Sequence, residues 1–183
     1  DGEQAPLTVG QSGPQPVLLM AASAETGTDG LQYSYHTDNT ATVFDYTGTA
    51  TELVIPAEVT HEGKTYKVTA IGYEAFRGNS TLTRVTIPEG VTDIGEFAFD
   101  ACESLTRVTI PEGVTAIGGH AFNDCASLTS ITIPEGVTTI ASYAFSDCTS
   151  LTNVTIPEGV TYIRNLAFWG CTSLTSVSLP ASL

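Results

Sequence analysis

The chain has 183 residues and a formal charge of −14 at neutral pH, with only six lysine and arginine residues. Nucleic acids and anionic membrane surfaces both attract cationic proteins, so this composition argues against either as a partner. The longest early apolar run, residues 17–22, is too short to cross a bilayer, and no membrane insertion is expected.

The first thirty residues differ in composition from the rest of the chain. Residues 1–30 are rich in Pro, Gly, Gln, Ser and Thr, and their apolar residues gather at 17–20. This composition predicts a flexible or extended leader.

Residues 31–70 have the composition of β-structure. Residues 31–35 and 41–46 alternate in polarity and are rich in aromatic and β-branched residues, which predicts two strands. Residues 58–68 predict a β-hairpin with its turn at Glu62 and Gly63. Because a repeat array must cover its first apolar edge, we interpret residues 31–70 as an N-terminal β cap with the first coil. The alternative is a binding loop.

From residue 71 to the end, the sequence repeats every 23 residues. Four apolar positions recur in step: Leu82, Leu105, Leu128, Leu151 and Leu174; Pro88, Pro111, Pro134, Pro157 and Pro180; Ile71, Ile94, Ile117, Ile140 and Ile163; Phe76, Phe99, Phe122, Phe145 and Phe168. A fixed period of this length with apolar anchors is typical of a solenoid, in which stacked coils bury a common core.

One coil divides into a strand, a turn and a closing segment. The run Leu-Thr-x-Val-Thr-Ile predicts a short strand that ends at the proline, and we expect residues 117–125 to form a short helical or 3₁₀ segment. The strands should stack as a parallel sheet with threonines outward, at Thr86, Thr109, Thr132 and Thr155. The chain stops part-way through a coil, so either it was cut from a longer one or the array ends on a bare strand, which would permit a dimer through the open end.

The repeat Leu-Thr-x-Val-Thr-Ile-Pro-Glu-Gly-Val-Thr-x-Ile-x-x-x-Ala-Phe-x-x-Cys-x-Ser, with the hairpin residues 63–66 and the run 69–76, resembles the BspA-like leucine-rich repeats of bacterial surface proteins. The resemblance covers roughly residues 31–183. It implies a leucine-rich repeat solenoid, which is a right-handed β/α superhelix of 23-residue coils with a parallel β-sheet and an N-terminal β-hairpin cap. It further implies a secreted or cell-surface bacterial protein that adheres to host or partner proteins, with no catalytic motif and no cofactor.

The four cysteines, Cys102, Cys125, Cys148 and Cys171, occupy one position of successive coils. Adjacent coils would place them within disulfide range, but equivalent side chains point in the same direction, which does not suit a bridge. We expect free, buried thiols. A metal ladder is disfavoured because no histidine or second cysteine lies beside them in the sequence.

Two other groups of residues could carry chemistry. Glu89, Glu112, Glu135 and Glu158 form an acidic row, which is either a strip for a cation or basic protein or simply a solvated turn; we favour the turn, because a calcium ion needs six or more oxygen ligands. The three histidines have no metal-ligand spacing and no nucleophile motif, so no catalytic residue and no metal site are predicted.

The positions that vary between repeats are the better candidates for a binding site. The third residue after the repeated isoleucine reads Glu74, Phe97, His120, Tyr143 and Leu166, the residue before it becomes Tyr162 in the fifth copy, and the residue after the repeated phenylalanine becomes Trp169. Exposed aromatic residues often anchor interfaces, whereas local packing between coils is the alternative. The candidate binding residues are Phe97, His120, Tyr143, Tyr162, Leu166 and Trp169.

Three functions compete on this sequence. The first is a non-catalytic, secreted or surface-displayed module that binds an extracellular protein or glycan through the variable face. The second is a structural spacer within a larger surface protein. The third is an enzyme, which would require a pocket with paired titratable groups, and the repeats supply no such motif.

Overall fold

A computed structural model describes residues 30–181 and residue 183. The predicted leader at 1–30 therefore lies outside the described residues, apart from Gly30. Secondary structure in the described part is entirely strands and turns. The strands are β1 (Leu31–Tyr35), β2 (Thr40–Tyr46), β3 (Glu52–Val54), β4 (Glu58–His61), β5 (Lys64–Ile71), β6 (Arg84–Thr86), β7 (Asp93–Ile94), β8 (Arg107–Thr109), β9 (Ala116–Ile117), β10 (Ser130–Thr132), β11 (Thr139–Ile140), β12 (Asn153–Thr155), β13 (Tyr162–Ile163) and β14 (Ser176–Ser178).

Two hairpins begin the fold, both where the sequence predicts them. Strands β1 and β2 pair antiparallel, and so do β4 and β5. Glu62 and Gly63 connect the second pair with φ values of 50° and 75°, the positive angles that a tight two-residue hairpin turn requires. Strand β2 also pairs parallel with β5, which joins both hairpins to the stack of coils.

The coils stack through two parallel ladders of short strands. The first ladder contains β3, β6, β8, β10, β12 and β14, which mark six coils, and the second contains β5, β7, β9, β11 and β13. Equivalent residues lie in register, so that Val85 is opposite Val108 and Ile94 is opposite Ile117. Thr109, Thr132 and Thr155 are exposed and Thr86 is half-buried on the outer side of the first ladder, as predicted.

The repeated apolar residues fill one continuous core. The phenylalanine rings stack face to face along it, with centroid separations of 4.8, 5.2, 5.5 and 5.5 Å from Phe76 to Phe168. Leucine, isoleucine and valine from both ladders surround this inward column of rings, and most are fully buried. One coil cannot bury its own apolar edge, so this core depends on stacking.

The predicted β/α character is wrong, because the closing segment of each coil forms consecutive turns instead of a helix. His120 and Asp124 have φ values of 56° and 55°, in the left-handed region, which interrupts a right-handed helix. The N–H groups of His120, Phe122 and Asp124 donate to the next coil, at 2.8–3.1 Å, and not along their own segment. We call this third side of the solenoid, residues 118–127 and their equivalents, the turn edge.

The cysteines are free thiols, as predicted, and each has a specific hydrogen-bond acceptor. Cys102, Cys125 and Cys148 are buried and Cys171 is half-buried. Each Sγ donates to the carbonyl oxygen of the inward phenylalanine one coil earlier, at 3.0–3.2 Å. Burial raises the pKa of Cys102 to about 12, so the thiol stays protonated and keeps its donor.

Candidate functional site

The variable residues Glu74, Phe97, His120, Tyr143 and Leu166 form one row along the turn edge, which we call the outward column. All five have φ between 56° and 57°, a conformation that side chains other than Gly, Asn and Asp adopt reluctantly. Each backbone N–H from Glu74 to Tyr143 donates to the following coil at 3.0–3.1 Å. The stack of coils therefore fixes the backbone of the outward column.

The structure brings three of the candidate residues into direct contact. The rings of Phe97 and His120 stack with centroids 4.6 Å apart, and those of His120 and Tyr143 stack at the same distance. The planes differ by 13° and 8°. All three side chains are half-buried. Because the rings face one another along the solenoid axis, both faces of His120 are covered.

The N-terminal end of the outward column contains residues that the sequence did not identify. Tyr73 packs edge-on against Phe97 at 5.9 Å, and the guanidinium of Arg77 lies 5.3 Å from the centroid of the same ring. The Tyr73 side chain is 61% exposed. The position before the outward column reads Tyr73, Glu96, Gly119, Ser142 and Asn165, so its variability was a signal that could have found Tyr73.

Ion pairs hold the guanidinium of Arg77 above that ring. Its Nε lies 2.9 Å from Asp100 Oδ2, and its Nη1 contacts Glu74. The Asn123 amide donates to the other oxygen of Asp100 at 2.8 Å, which links this network to the next coil. The neighbouring carboxylate of Glu74 raises the pKa of Arg77, so the cation persists at any physiological pH.

The remaining candidates are well exposed and lie in the fifth coil. Tyr162, Leu166 and Trp169 are 69%, 46% and 58% exposed, and we call them the exposed trio. Tyr162 pairs with Thr139 on the second ladder, whereas Leu166 continues the outward column and Trp169 follows Phe168. The trio therefore presents more apolar surface than Phe97, His120 or Tyr143.

The acidic row occupies solvated turns. Glu89, Glu112, Glu135 and Glu158 are exposed, one in each of four successive coils. Among residues 30–181 and 183, no group of three His, Cys, Asp or Glu side chains is placed to hold a metal ion. The same part of the chain has no helix of the length and apolarity that a membrane crossing needs.

Sequence comparison assigns the repeats to a family. The model of the BspA type leucine rich repeat region matches residues 69–183 in six copies. The chain belongs to this family. The matched range contains five of the six strands of the first ladder, β6 to β14, and β3 precedes it. No curated protein matches the chain.

Solved structures of bacterial leucine-rich repeat proteins share the fold. The T. pallidum leucine rich repeat protein is 36% identical, with a TM-score of 0.77 over 85% of this chain and 72% of its own. A leucine-rich repeat protein from Bacteroides ovatus is 37% identical, with a TM-score of 0.79 over 85% of this chain. A leucine rich cell surface protein from Faecalibacterium prausnitzii is 34% identical, with a TM-score of 0.57 over 81% of this chain. The BspA-type chain spans 41% of the Bacteroides protein and 52% of the Faecalibacterium protein.

Proposed function

We propose that this BspA-type chain is a non-catalytic module, secreted or displayed on a bacterial surface, that binds an extracellular protein through the turn edge and the adjoining Tyr162 of the second ladder. Family membership supports a repeat scaffold for binding or support. The Faecalibacterium relative, a cell surface protein by name, supports an extracellular location. The recognition residues in this proposal are the outward column and the exposed trio.

The observation that carries the proposal is the pre-formed order of the outward column. Phe97, His120 and Tyr143 are stacked at 4.6 Å on a backbone that the next coil holds by hydrogen bonds. A surface that is rigid before binding loses little conformational entropy when a partner docks. Aromatic side chains with few rotatable bonds are for this reason common anchors in interfaces.

The ring geometry favours a protein over a glycan as the partner. Sugars pack on the exposed faces of aromatic rings, but the faces of His120 are covered on both sides and Phe97 lies between His120 and Arg77. The outward column therefore presents ring edges and backbone, which suit the side chains of a protein. Binding of glycans alone, through the exposed rings of Tyr162 and Trp169, is an outcome of the test that would contradict the proposal.

The test compares two variants of the whole chain for binding to purified extracellular proteins and to a glycan array. The first replaces the exposed trio with alanine. The control replaces Val54 and Leu179, which are equally exposed and lie away from the turn edge, with alanine. A protein that binds wild type and control saturably, but binds the trio variant at least about tenfold more weakly, supports the proposal. Equal binding by both variants, or binding to glycans alone, contradicts it.

A spacer is the second candidate, because repeated contacts join each coil to the next. The inward rings, the thiol-to-carbonyl bonds and the threonine hydroxyls that donate to the preceding coil each repeat at the coil spacing. A stack whose coils all touch their neighbours keeps its length and would hold other domains apart. A spacer predicts no saturable partner for this chain, and loss of function in the parent protein only when coils are deleted.

A further inference from the structure

The six coils are not joined equally, and the weakest junction lies in the middle of the array. Strand β8 does not pair with β10 on the first ladder, and β9 does not pair with β11 on the second, whereas the coils on either side pair normally. Both interruptions fall between the third coil, residues 105–127, and the fourth, residues 128–150. We call this junction the seam.

The hydrogen bonds of the second ladder show the interruption most clearly. Thr92, Thr115 and Thr161 each donate their N–H to the equivalent threonine of the preceding coil at 2.9 Å. The residue after the repeated isoleucine, at Gly95, Gly118 and Arg164, donates its N–H to the isoleucine carbonyl of the preceding coil at 2.8–2.9 Å. Of the described residues, Thr138 and Ala141 are the ones at these two positions that lack the bond, and both belong to the fourth coil.

The turn edge remains closed across the same seam. His120, Phe122 and Asp124 donate to Ser142, Ala144 and Ser146 at 3.1, 2.9 and 2.8 Å. The rings of His120 and Tyr143, which lie on opposite sides of the seam, stay 4.6 Å apart. The junction is therefore joined along the turn edge. On the first ladder only Thr129, among the described residues, bridges the seam, since its N–H and its hydroxyl both donate to the Thr106 carbonyl at 3.3 Å, and the strands beyond it do not pair.

A substitution in the repeat explains why the seam lies here. The first three coils have glycine directly after the repeated isoleucine, at Gly72, Gly95 and Gly118. A methyl group on Gly95 or Gly118 would lie 2.8 or 2.5 Å from backbone atoms of the preceding coil, closer than a Cβ can approach. The fourth coil has Ala141 at this position, so its methyl group prevents the same close approach.

Arg164 shows that a side chain is tolerated here once the spacing has changed. It follows Ala141 by one coil, and its N–H bonds to Ile140 at 2.9 Å. The ladder bonds are therefore lost only where the first coil with a larger residue at this position, the fourth, stacks on a coil that has glycine there. At the seam the first ladder opens into a groove of about 320 Å³ between residues 107–110 and 130–132.

We propose that the seam is a hinge between two blocks, residues 30–127 and 128–181, that pivot on the turn edge. Opening the hinge breaks the two bonds from Thr129 to Thr106, widens the gap between the ladders and leaves the stacked rings of the outward column in contact. The scaffold can thus bend while the proposed recognition surface keeps its spacing. This inference concerns the scaffold and holds whether or not the outward column binds a partner.

Amide hydrogen exchange on the full chain gives the first test. In the wild type, Thr138 and Ala141 should exchange at least about tenfold faster than Thr115, Gly118, Thr161 and Arg164, after correction for intrinsic rates. Ala141→Gly should close the seam and restore protection at both amides. Gly118→Ala is the matched variant, and it should weaken protection at Thr115 and residue 118 instead. Equal exchange at all three junctions in the wild type would overturn the proposal.

Spin-label distances give the second test, which separates a moving hinge from a fixed gap. Labels at Thr86→Cys and Thr155→Cys, in a Cys171→Ala background, lie outward on the first ladder on opposite sides of the seam. The distance distribution should be broader in this protein than in its Ala141→Gly variant. Equal widths would overturn the hinge even if the seam amides exchange rapidly.

Discussion

The inward and outward columns of the BspA-type solenoid use the same stacking geometry for different purposes. Rings stack at 4.8–5.5 Å in the inward column and at 4.6 Å in the outward column. Phe122 and His120 are only two residues apart, yet the first is fully buried and repeated in every coil, whereas the second is half-buried and differs between coils. Burial, and not ring contact, separates the residues that hold the fold from those free to vary.

The backbone adds a second difference between the columns. Every residue of the outward column is in the left-handed region, and none of the inward phenylalanines is. A left-handed backbone costs a non-glycine residue about 1–2 kcal/mol. Glycine would avoid this cost, so the outward column holds non-glycine side chains at a conformational cost that the stacking of the coils must offset.

Replacing a ring of the inward column should have the largest effect on stability. Phe122→Ala should lower the free energy of unfolding by about 3–5 kcal/mol, because it leaves a cavity in a fully packed core. Tyr143→Ala, the matched change in the outward column, should cost only about 1 kcal/mol. Urea denaturation of both variants measures the difference, and similar losses would show that the outward column also supports the core.

The thiols that donate to the inward column should be unreactive in the folded protein. Burial raises the pKa of Cys102 to about 12, and burial also raises those of Cys125, Cys148 and half-buried Cys171. The thiolate fraction of Cys102 is therefore very small at pH 8 and should rise about tenfold per pH unit while the pH stays below that pKa.

Alkylation with iodoacetamide, followed by mass spectrometry, checks this order of reactivity. Cys171 should react first, because it is the least buried of the four thiols. All four should react alike in urea, which serves as the control. If Cys102 in the folded protein were alkylated as fast as Cys171, the conclusion that Cys102 is a buried, hydrogen-bonded thiol would be contradicted.

The difference in stability between a glycine variant and an alanine variant should have opposite signs in the two columns. His120→Gly should be more stable than His120→Ala by roughly 1 kcal/mol, because both remove the ring but only glycine relieves the left-handed backbone. At Phe122, whose φ is not positive, the glycine variant should be less stable than the alanine variant by a similar amount. Thermal or urea unfolding of the four variants tests the reversal, and the same order at both positions would refute it.

The exposed trio should contribute least to stability. Tyr162→Ala should change the free energy of unfolding by less than about 0.5 kcal/mol, because the side chain is 69% exposed and the coil retains its buried residues. Urea denaturation checks the value. A loss above about 1 kcal/mol would assign Tyr162 a packing role and remove it from the proposed recognition surface.

The inward side of the fold was predictable from the sequence, because apolar residues that recur with a fixed period mark the buried positions directly. The recurring leucine, isoleucine and phenylalanine positions are buried where the repeat places them, except in the last copy, where Phe168 and Leu174 are half-buried and Ile163 is exposed. The thiols are free as expected. The hairpin at Glu62 and Gly63 was also predictable, since its turn needs two residues at positive φ and one is glycine.

The turn edge was harder to predict, because the residue types at its left-handed positions do not indicate a positive φ. Phe97, His120 and Tyr143 are not typical of the left-handed region, so the sequence suggested a helical segment where turns occur. A partial signal lay four residues further on, where Gly78, Asp124, Asp147 and Gly170 occupy a second left-handed position. The ring stacking could not be inferred, because it depends on which face of each turn points along the axis.

A photo-crosslinker placed on the turn edge tests the proposed recognition surface most directly. We would replace Trp169 with p-benzoylphenylalanine in the whole chain, and Val54, which is similarly exposed on the first ladder, in a control protein. After irradiation with extracellular proteins, we predict a discrete crosslinked product from position 169 that is absent from position 54 and is competed by unlabelled wild type. Identical products from both positions, or none from position 169, would contradict recognition through the turn edge.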